Sequence, residues 1–379
     1  MNKKKIALLS LSHFSVDTYH SFLRPILPLL MIKLGTSVFY GAVLAAVLDI
    51  VSSFSQPLFG YFSDKLKKPL FIVTGPLLSG IFISLLGIAG NYTMALIFIV
   101  IGGIGIAAFH PQGAASVGLN SGNKKERGIA VFLTMGTFGY SFGPALVVLL
   151  ISFGGLSGLL PAAVPGIILT FFILKYIKSE DVEIKKRVSF KSAIKNVKGV
   201  LTIILFVVTL RAVLIMSYTT FIPMLIVERG GSENLVGIPL FFMHFFGTIG
   251  GLFGAYIAEK TGSKMVIILS FFIPVPFLYY YLFTAGIQSV IILSTGTFIL
   301  SLSIPVTISF AQKILPSHIA TVSSFLMGFC WGVAGLILIP LGALAEKFGI
   351  QLILQILALI TITGGIASFF IKDNRRNYA

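Results

Sequence analysis

Residues 60–89 read GYFSDKLKKPLFIVTGPLLSGIFISLLGIA. A short turn carrying Asp64, Lys65, Lys67 and Lys68 gives way at Leu70 to a run through Ala89 without a single charge. About 20 apolar residues in helical conformation cross the hydrocarbon core of a bilayer, so the run has the length of one crossing. The rest of the chain repeats this alternation of apolar run and basic turn. Of its 379 residues 56% are hydrophobic and only 11% charged, with a mean hydropathy of +1.00. A soluble fold could not hide that much apolar surface. The composition predicts an all-α polytopic membrane protein and excludes a disordered or disulfide-stapled chain.

Twelve apolar stretches are predicted, at about 6–32, 37–61, 70–89, 92–118, 128–153, 156–177, 199–227, 234–258, 265–284, 288–312, 319–344 and 349–371. An even number places both termini on one side of the membrane. The basic residues choose the side, because cytoplasmic loops retain positive charge. With the first terminus inside, 23 of the 28 Lys and Arg residues fall on cytoplasmic segments. Lys33, Arg229 and Lys347 fall outside, and Arg24 and Arg211 lie within helices. The expected location is therefore the cell inner (plasma) membrane, multi-pass, with cytoplasmic ends. The net charge of +16 follows this loop pattern and does not point to nucleic acid. Residues 1–15 resemble a signal peptide, but His13 and Asp17 interrupt the apolar run and no cleavage site follows, so a retained first helix is expected.

The chain also repeats itself. Gly60-Tyr-Phe-Ser-Asp64-Lys65 and Gly254-Ala-Tyr-Ile-Ala-Glu259-Lys260 each end a second helix and begin 194 residues apart. Met135-Gly136 and Met327-Gly328 lie 192 residues apart in fifth helices. The expected organisation is an N-terminal six-helix bundle (1–178), a cytoplasmic linker (179–198) whose later part could form a surface helix, and a C-terminal six-helix bundle (199–379).

These motifs resemble the major facilitator superfamily. Gly60, Asp64, Lys65 and Lys68 match its signature between helices 2 and 3, with Lys67 in place of a glycine; Gly254, Glu259 and Lys260 form a second copy with Glu in place of Asp. Within the superfamily, His13-Phe-Ser-Val-Asp17-Thr-Tyr19, Phe109-His110-Pro111-Gln112-Gly-Ala and Met327-Gly328-Phe-Cys-Trp331-Gly332 resemble the fosmidomycin-resistance type of transporter. Arg211 followed by Thr220-Phe221-Ile-Pro223 agrees, whereas Arg24 and Asp49 lie outside that pattern. The resemblance implies export of drugs or metabolites by alternating access, generally in exchange for protons, and expects the signature residues to gate access. Gly136, Gly139, Gly143 and Pro144 resemble the helix-packing signature of drug-exporting members. Small residues there allow close packing and the proline a bend.

Of the twelve acidic residues, Asp17 and Asp49 sit deep in apolar helices. A buried carboxylate costs several kcal/mol unless protonated or paired, which makes both candidates for proton coupling. Asp17 lies roughly 16 Å into the first helix, near mid-membrane. Arg211 occupies the equivalent place 194 residues on. The two charges are therefore expected to face each other across one cavity, with bundle movement switching the protonation of Asp17. Arg211 is a candidate for an anionic substrate group or for counter-ion to Asp17. Arg24, two turns beyond Asp17 on one face, either extends a positive path outward or snorkels to the interface. Asp49 is a second proton site or pairs with a base on a neighbouring helix. His110 is a candidate proton relay, with a structural hydrogen-bond donor as the plainer role; His13, His20, His244 and His318 rank below it. Tyr19, Tyr140, Tyr218, Trp331 and Gln112 are candidates to line a substrate path, although aromatics serve packing as commonly.

No Walker loop, nucleophile elbow, zinc spacing or cofactor fingerprint occurs, and Cys330 stands alone, so no enzyme activity, metal or cofactor is expected. The expected partners are a small-molecule substrate, protons and the lipid bilayer, with the protein working as a monomer. An organic-anion uniporter or importer using Arg24 and Arg211 is the alternative, and a non-transporting membrane sensor a remote one.

Overall fold

The computed structural model describes residues 2–65, 68–122, 125–177, 198–232, 235–315, 322 and 325–371, the side chains of 64, 65 and 125–127 excepted. All regular structure among them is helical. The predicted surface helix of the linker, Lys67, His318 and the side chains of Asp64 and Lys65 lie outside the described residues.

The first helix, α1 (Lys3–Leu34), is opened by Asn2, whose side chain accepts from Lys5 N at 3.2 Å. It is closed by Gly35, whose φ of +60° is the left-handed conformation that L side chains avoid. There follow α2 (Val38–Phe54), α3 (Gln56–Lys65), α4 (Leu70–Leu85), α5 (Tyr92–Asn120), α6 (Lys125–Gly154) and α7 (Ala163–Tyr176). The second half holds α8 (Lys198–Glu228), α9 (Gly237–Thr261), α10 (Ser263–Phe272), α11 (Pro274–Tyr281), α12 (Gly286–Ser301), α13 (Ser303–Ile314), α14 (Cys330–Phe348) and α15 (Ile350–Phe369).

Three stretches expected to be continuous are broken: between α2 and α3, between α10 and α11, and between α12 and α13. Proline lies at or just after each break, as Pro57, Pro274 and Pro305. Proline lacks the N–H that would bond the preceding turn, and its ring crowds that turn's carbonyl. A one-turn π segment, Phe325–Phe329, contains the Met327-Gly328 motif. Ten runs among the described residues are long and apolar enough to cross a membrane. One of them, Gly128–Tyr176, is 49 residues long, the length of two crossings, and turns at Gly155, which has φ +57°. The stretch at 6–32 is present as α1 but carries His13, Asp17, His20 and Arg24 and is not among the ten.

The chain forms two units, one comprising the described residues of 1–184 and 220–241, the other those of 185–219 and 242–379. In the first, α2, α4, α5, α6 and α7 all pack on α1. A helix so surrounded must bury its polar residues against protein, and His13 and Arg24 are buried. The apolar residues pointing away are exposed, among them Phe153, Phe171 and Leu174, as lipid contact requires. In the second unit α10 packs on α13 and α15, and α11 on α12 and α15.

Candidate functional site

Four titratable or charged residues in the middle of α1 share one face. His13, Asp17, His20 and Arg24 follow one another at intervals of four, three and four, the spacing that aligns side chains along a helix. Two clusters grow from this stripe, both inside the first unit.

The first joins α1 to α5. Asp17 Oδ2 lies 3.2 Å from His13 Nε2, and Asp17 Oδ1 lies 3.0 Å from His110 Nε2. The far side of each ring is tied to backbone: His13 Nδ1 to the Phe132 carbonyl oxygen at 2.8 Å, and His110 Nδ1 to that of Ile106 at 2.7 Å. His13 also stacks on Phe132 with centroids 4.1 Å apart. Room for the cluster comes from α6. A Cβ on Gly136 would strike the His13 ring and come within 2.7 Å of Asp17 Oδ2. Gly139 and Gly143 continue the seam, against the Phe14 backbone and against Ser21 and the Thr18 carbonyl. Thr18 Oγ1 donates across it to the Gly139 carbonyl at 3.1 Å. The predicted packing glycines thus lie where α6 meets α1. Ligand atoms of His13, Asp17 and His110 lie within 4.8 Å of one another, close enough for one metal ion.

The second cluster is an ion pair with its supports. Arg24 Nη2 donates to Asp49 Oδ2, and both side chains are buried, at 1% and 2% exposure. Arg24 Nη1 donates to Tyr140 Oη at 3.0 Å and Nε to Thr220 Oγ1 at 3.1 Å. His20 Nε2 lies 3.5 Å from the other oxygen of Asp49. Arg24 therefore does not snorkel to an interface, and Asp49 finds its base on α1.

In the second unit Arg211 is buried and donates to Ser303 Oγ at 2.8 Å and Thr307 Oγ1 at 3.1 Å. Ser270 Oγ supports Ser303 at 2.7 Å. No carboxylate pairs with Arg211 among the described residues. Such a guanidinium keeps its charge while bonded only to neutral hydroxyls.

Other predicted residues are occupied in holding helices. Gln112 Oε1 accepts from Phe71 N at 2.8 Å and Ile72 N at 3.0 Å, while its Nε2 donates to the Lys68 carbonyl at 3.0 Å. These are free donors at the start of α4, where Pro69 offers no side-chain cap. The Tyr19 hydroxyl donates to the Ala162 carbonyl at 2.7 Å and accepts from Gly166 N at 3.0 Å. Tyr218 Oη lies 3.1 Å from the Leu278 carbonyl oxygen and 3.2 Å from that of Leu354. A Cβ on Gly254 would collide with the Leu302 backbone, so α9 and the start of α13 touch there, whereas one on Gly60 would meet Pro111 at an ordinary 3.6 Å. Glu259 and Lys260 are exposed, and Lys260 Nζ donates to Tyr256 Oη at 2.6 Å. Lys68 is exposed as well, and Pro144 lies inside α6. His13 and His20, ranked low from sequence, belong to the two clusters; the four-three-four spacing on α1 was the signal for both.

Comparison with known proteins agrees with this architecture. Residues 9–340 match the model of the Major Facilitator Superfamily. The chain is 28% identical to the fosmidomycin resistance protein of Escherichia coli (strain K12), across 98% of this chain and 93% of that one. It is 24% identical to an MFS-type transporter of Bacillus subtilis (strain 168) over the same shares. Among solved structures it is similar to a bacterial homologue of the human lysosomal transporter Spinster, with a TM-score of 0.85 at 12% identity over 98% and 96% of the two chains. It is also similar to the nucleoside transporter NupG, with a TM-score of 0.77 at 15% identity over 98% and 99%. At such identities the structural likeness speaks for the fold alone. With that family model spanning most of its length and the fold agreeing, this chain belongs to the major facilitator superfamily and is a multi-pass membrane transporter, not an enzyme.

Proposed function

We propose that the protein is a proton-coupled exporter of a drug-like or small metabolic compound, working by alternating access of two six-helix bundles at 1–178 and 199–379 joined by 179–198. One observation carries the reading: Asp17, on the helix that five others surround, is gripped on both oxygens by histidines. A carboxylate and two imidazoles in contact are the side chains suited to taking up and giving back protons near neutral pH. Asp49, by contrast, is paired with the guanidinium of Arg24, which keeps its proton at any physiological pH, whereas both bases on Asp17 are imidazoles. Export is supported by the likeness to a protein named for resistance to fosmidomycin. The 23 of 28 basic residues that fall on one set of predicted loops support a plasma-membrane protein with both termini in the cytoplasm. Asp64 and the basic residues around it, with Glu259 and Lys260 in the second copy, act as the cytoplasmic gate of a monomeric carrier.

Within this reading Arg24 serves Asp49, and Arg211 is the residue free to hold an anionic part of a substrate. That favours a second reading, an organic-anion uniporter or importer. Purified protein in liposomes with an internal pH dye separates the two. Addition of lipophilic cations, phosphonates or small carboxylates under a proton gradient moves protons with one of these classes if the proposal is right. Labelled anion that equilibrates without proton movement selects the uniporter.

A further inference from the structure

The two rings that hold Asp17 are anchored alike. Each Nδ1 faces a backbone carbonyl, at 2.8 Å for His13 and 2.7 Å for His110. A carbonyl oxygen only accepts, so each Nδ1 carries a hydrogen. Each Nε2 is then the atom that changes, bare in the neutral ring and N–H in the imidazolium. The two Nε2 atoms meet different oxygens of one carboxylate, at 3.2 Å and 3.0 Å. Neither contact holds without a hydrogen between nitrogen and oxygen, because two lone pairs at that distance repel. Two contacts therefore need two protons. They are present either as two imidazoliums on a carboxylate or as one imidazolium on a carboxylic acid that donates to the other ring. With one proton a single contact survives. With none, both open, unless a ring turns over and sets a bare Nδ1 against its carbonyl.

We infer that His13, Asp17 and His110 form a two-proton site, closed when it holds both protons and open at one Nε2 when it has given one up. The inference rests on the reading of Asp17 as the coupling carboxylate, and adds His13 and the count. Among the described residues, the other titratable or charged groups around Asp17 are few. From α6 it is Tyr140, which already accepts from Arg24. On α2 Asp49 is held by Arg24 and His20. The α4 helix has no titratable residue, and α7 has only Lys175 and Tyr176, in its last turn. The surroundings are shaped to the closed arrangement, with Phe132 stacked on His13 and no Cβ at position 136. The His110 contact has hydrogen-bond geometry and the His13 contact ion-pair length, one ring to each carboxylate oxygen, the pattern of two separately protonated contacts and not of three donors converging on one ion.

The test is imidazole-nitrogen NMR of the full-length protein in detergent, its histidine rings isotope-labelled, titrated from acid to alkaline pH. His13→Gln and His110→Gln assign the two rings, and each keeps the other as a check should one variant fold poorly. Both rings are expected to retain Nδ1–H throughout and to lose the Nε2 hydrogen in two separate steps. His13→Gln and His110→Gln should each halve the protons this site releases over the titration. Asp17→Asn should alter the titration of both rings together. A His13 ring that keeps one state across the range, a neutral Nε2–H tautomer at either ring, or joint displacement of both rings by a stoichiometric amount of Zn²⁺ would overturn the inference. Failure of the coupling reading is distinct: rings that titrate as described while Asp17→Asn still moves protons with substrate leave the two-proton site standing and remove its role in transport.

Discussion

Asp49→Asn removes one charge from a pair that is out of reach of water. The guanidinium of Arg24 would stay buried, at 1% exposure, with only neutral acceptors left: the amide oxygen introduced at position 49 and the hydroxyls of Tyr140 and Thr220. Leaving a buried charge without its counter-ion costs about 3–5 kcal/mol. At roughly 2 °C per kcal/mol for a chain of this size, that lowers the unfolding midpoint in detergent by on the order of 6–10 °C. Replacing both partners with apolar residues, Arg24→Met with Asp49→Leu, removes the stranded charge. It forfeits the bonds to Tyr140 and Thr220, at about 1 kcal/mol each. The double variant should therefore lie roughly 2 kcal/mol below wild type and above the single variant, a coupling that only residues in contact show. Thermal unfolding followed by far-UV circular dichroism reads both. A single variant within about 1 kcal/mol of wild type, or a double variant that falls as far as the single, would refute the claim that this pair is a desolvated structural clamp.

Three further outcomes follow from the packing. Gly136→Ala drives a methyl group against His13 and Asp17, so substrate-driven proton movement should fall at least tenfold while membrane insertion, read by fractionation and detergent extraction, is kept. Gln112→Ala frees the donors of Phe71 and Ile72 and should cost about 1–2 kcal/mol in thermal stability, with transport retained in protein that folds. Arg211→Met, which leaves Ser303 and Thr307 in place, should abolish saturable binding of an anionic substrate, measured by equilibrium dialysis, and leave binding of lipophilic cations within about twofold; equal loss of both would assign Arg211 to the fold.

Much of the architecture was legible because membrane crossings are written in local composition. The run from Leu70 to Ala89 needs no partner to be recognised, and the glycines at 136, 139 and 143 announced a close helix contact before its other side was known. What local reading missed depends on distant neighbours. Nothing near Asp49 in sequence shows that its base is Arg24 on the preceding helix, and nothing near Gln112 shows that it completes the start of α4. The helix breaks at Ser55, Ile273 and Leu302 were hidden because each lies within a long run without charge, although the prolines marked them. A single histidine in an apolar helix carries little signal by itself; placed on a helix with Asp17, His20 and Arg24, His13 falls on the face of α1 that they share.

The central claim is that Asp17 carries the proton that drives transport. The most direct measurement is proton flux into liposomes containing wild-type protein or Asp17→Asn, followed with an internal pH dye as a transported compound is added. The account predicts compound-dependent proton movement in the wild type and its loss in the variant, with downhill exchange of the labelled compound still measurable. Compound-dependent proton movement of equal size in both proteins would contradict it.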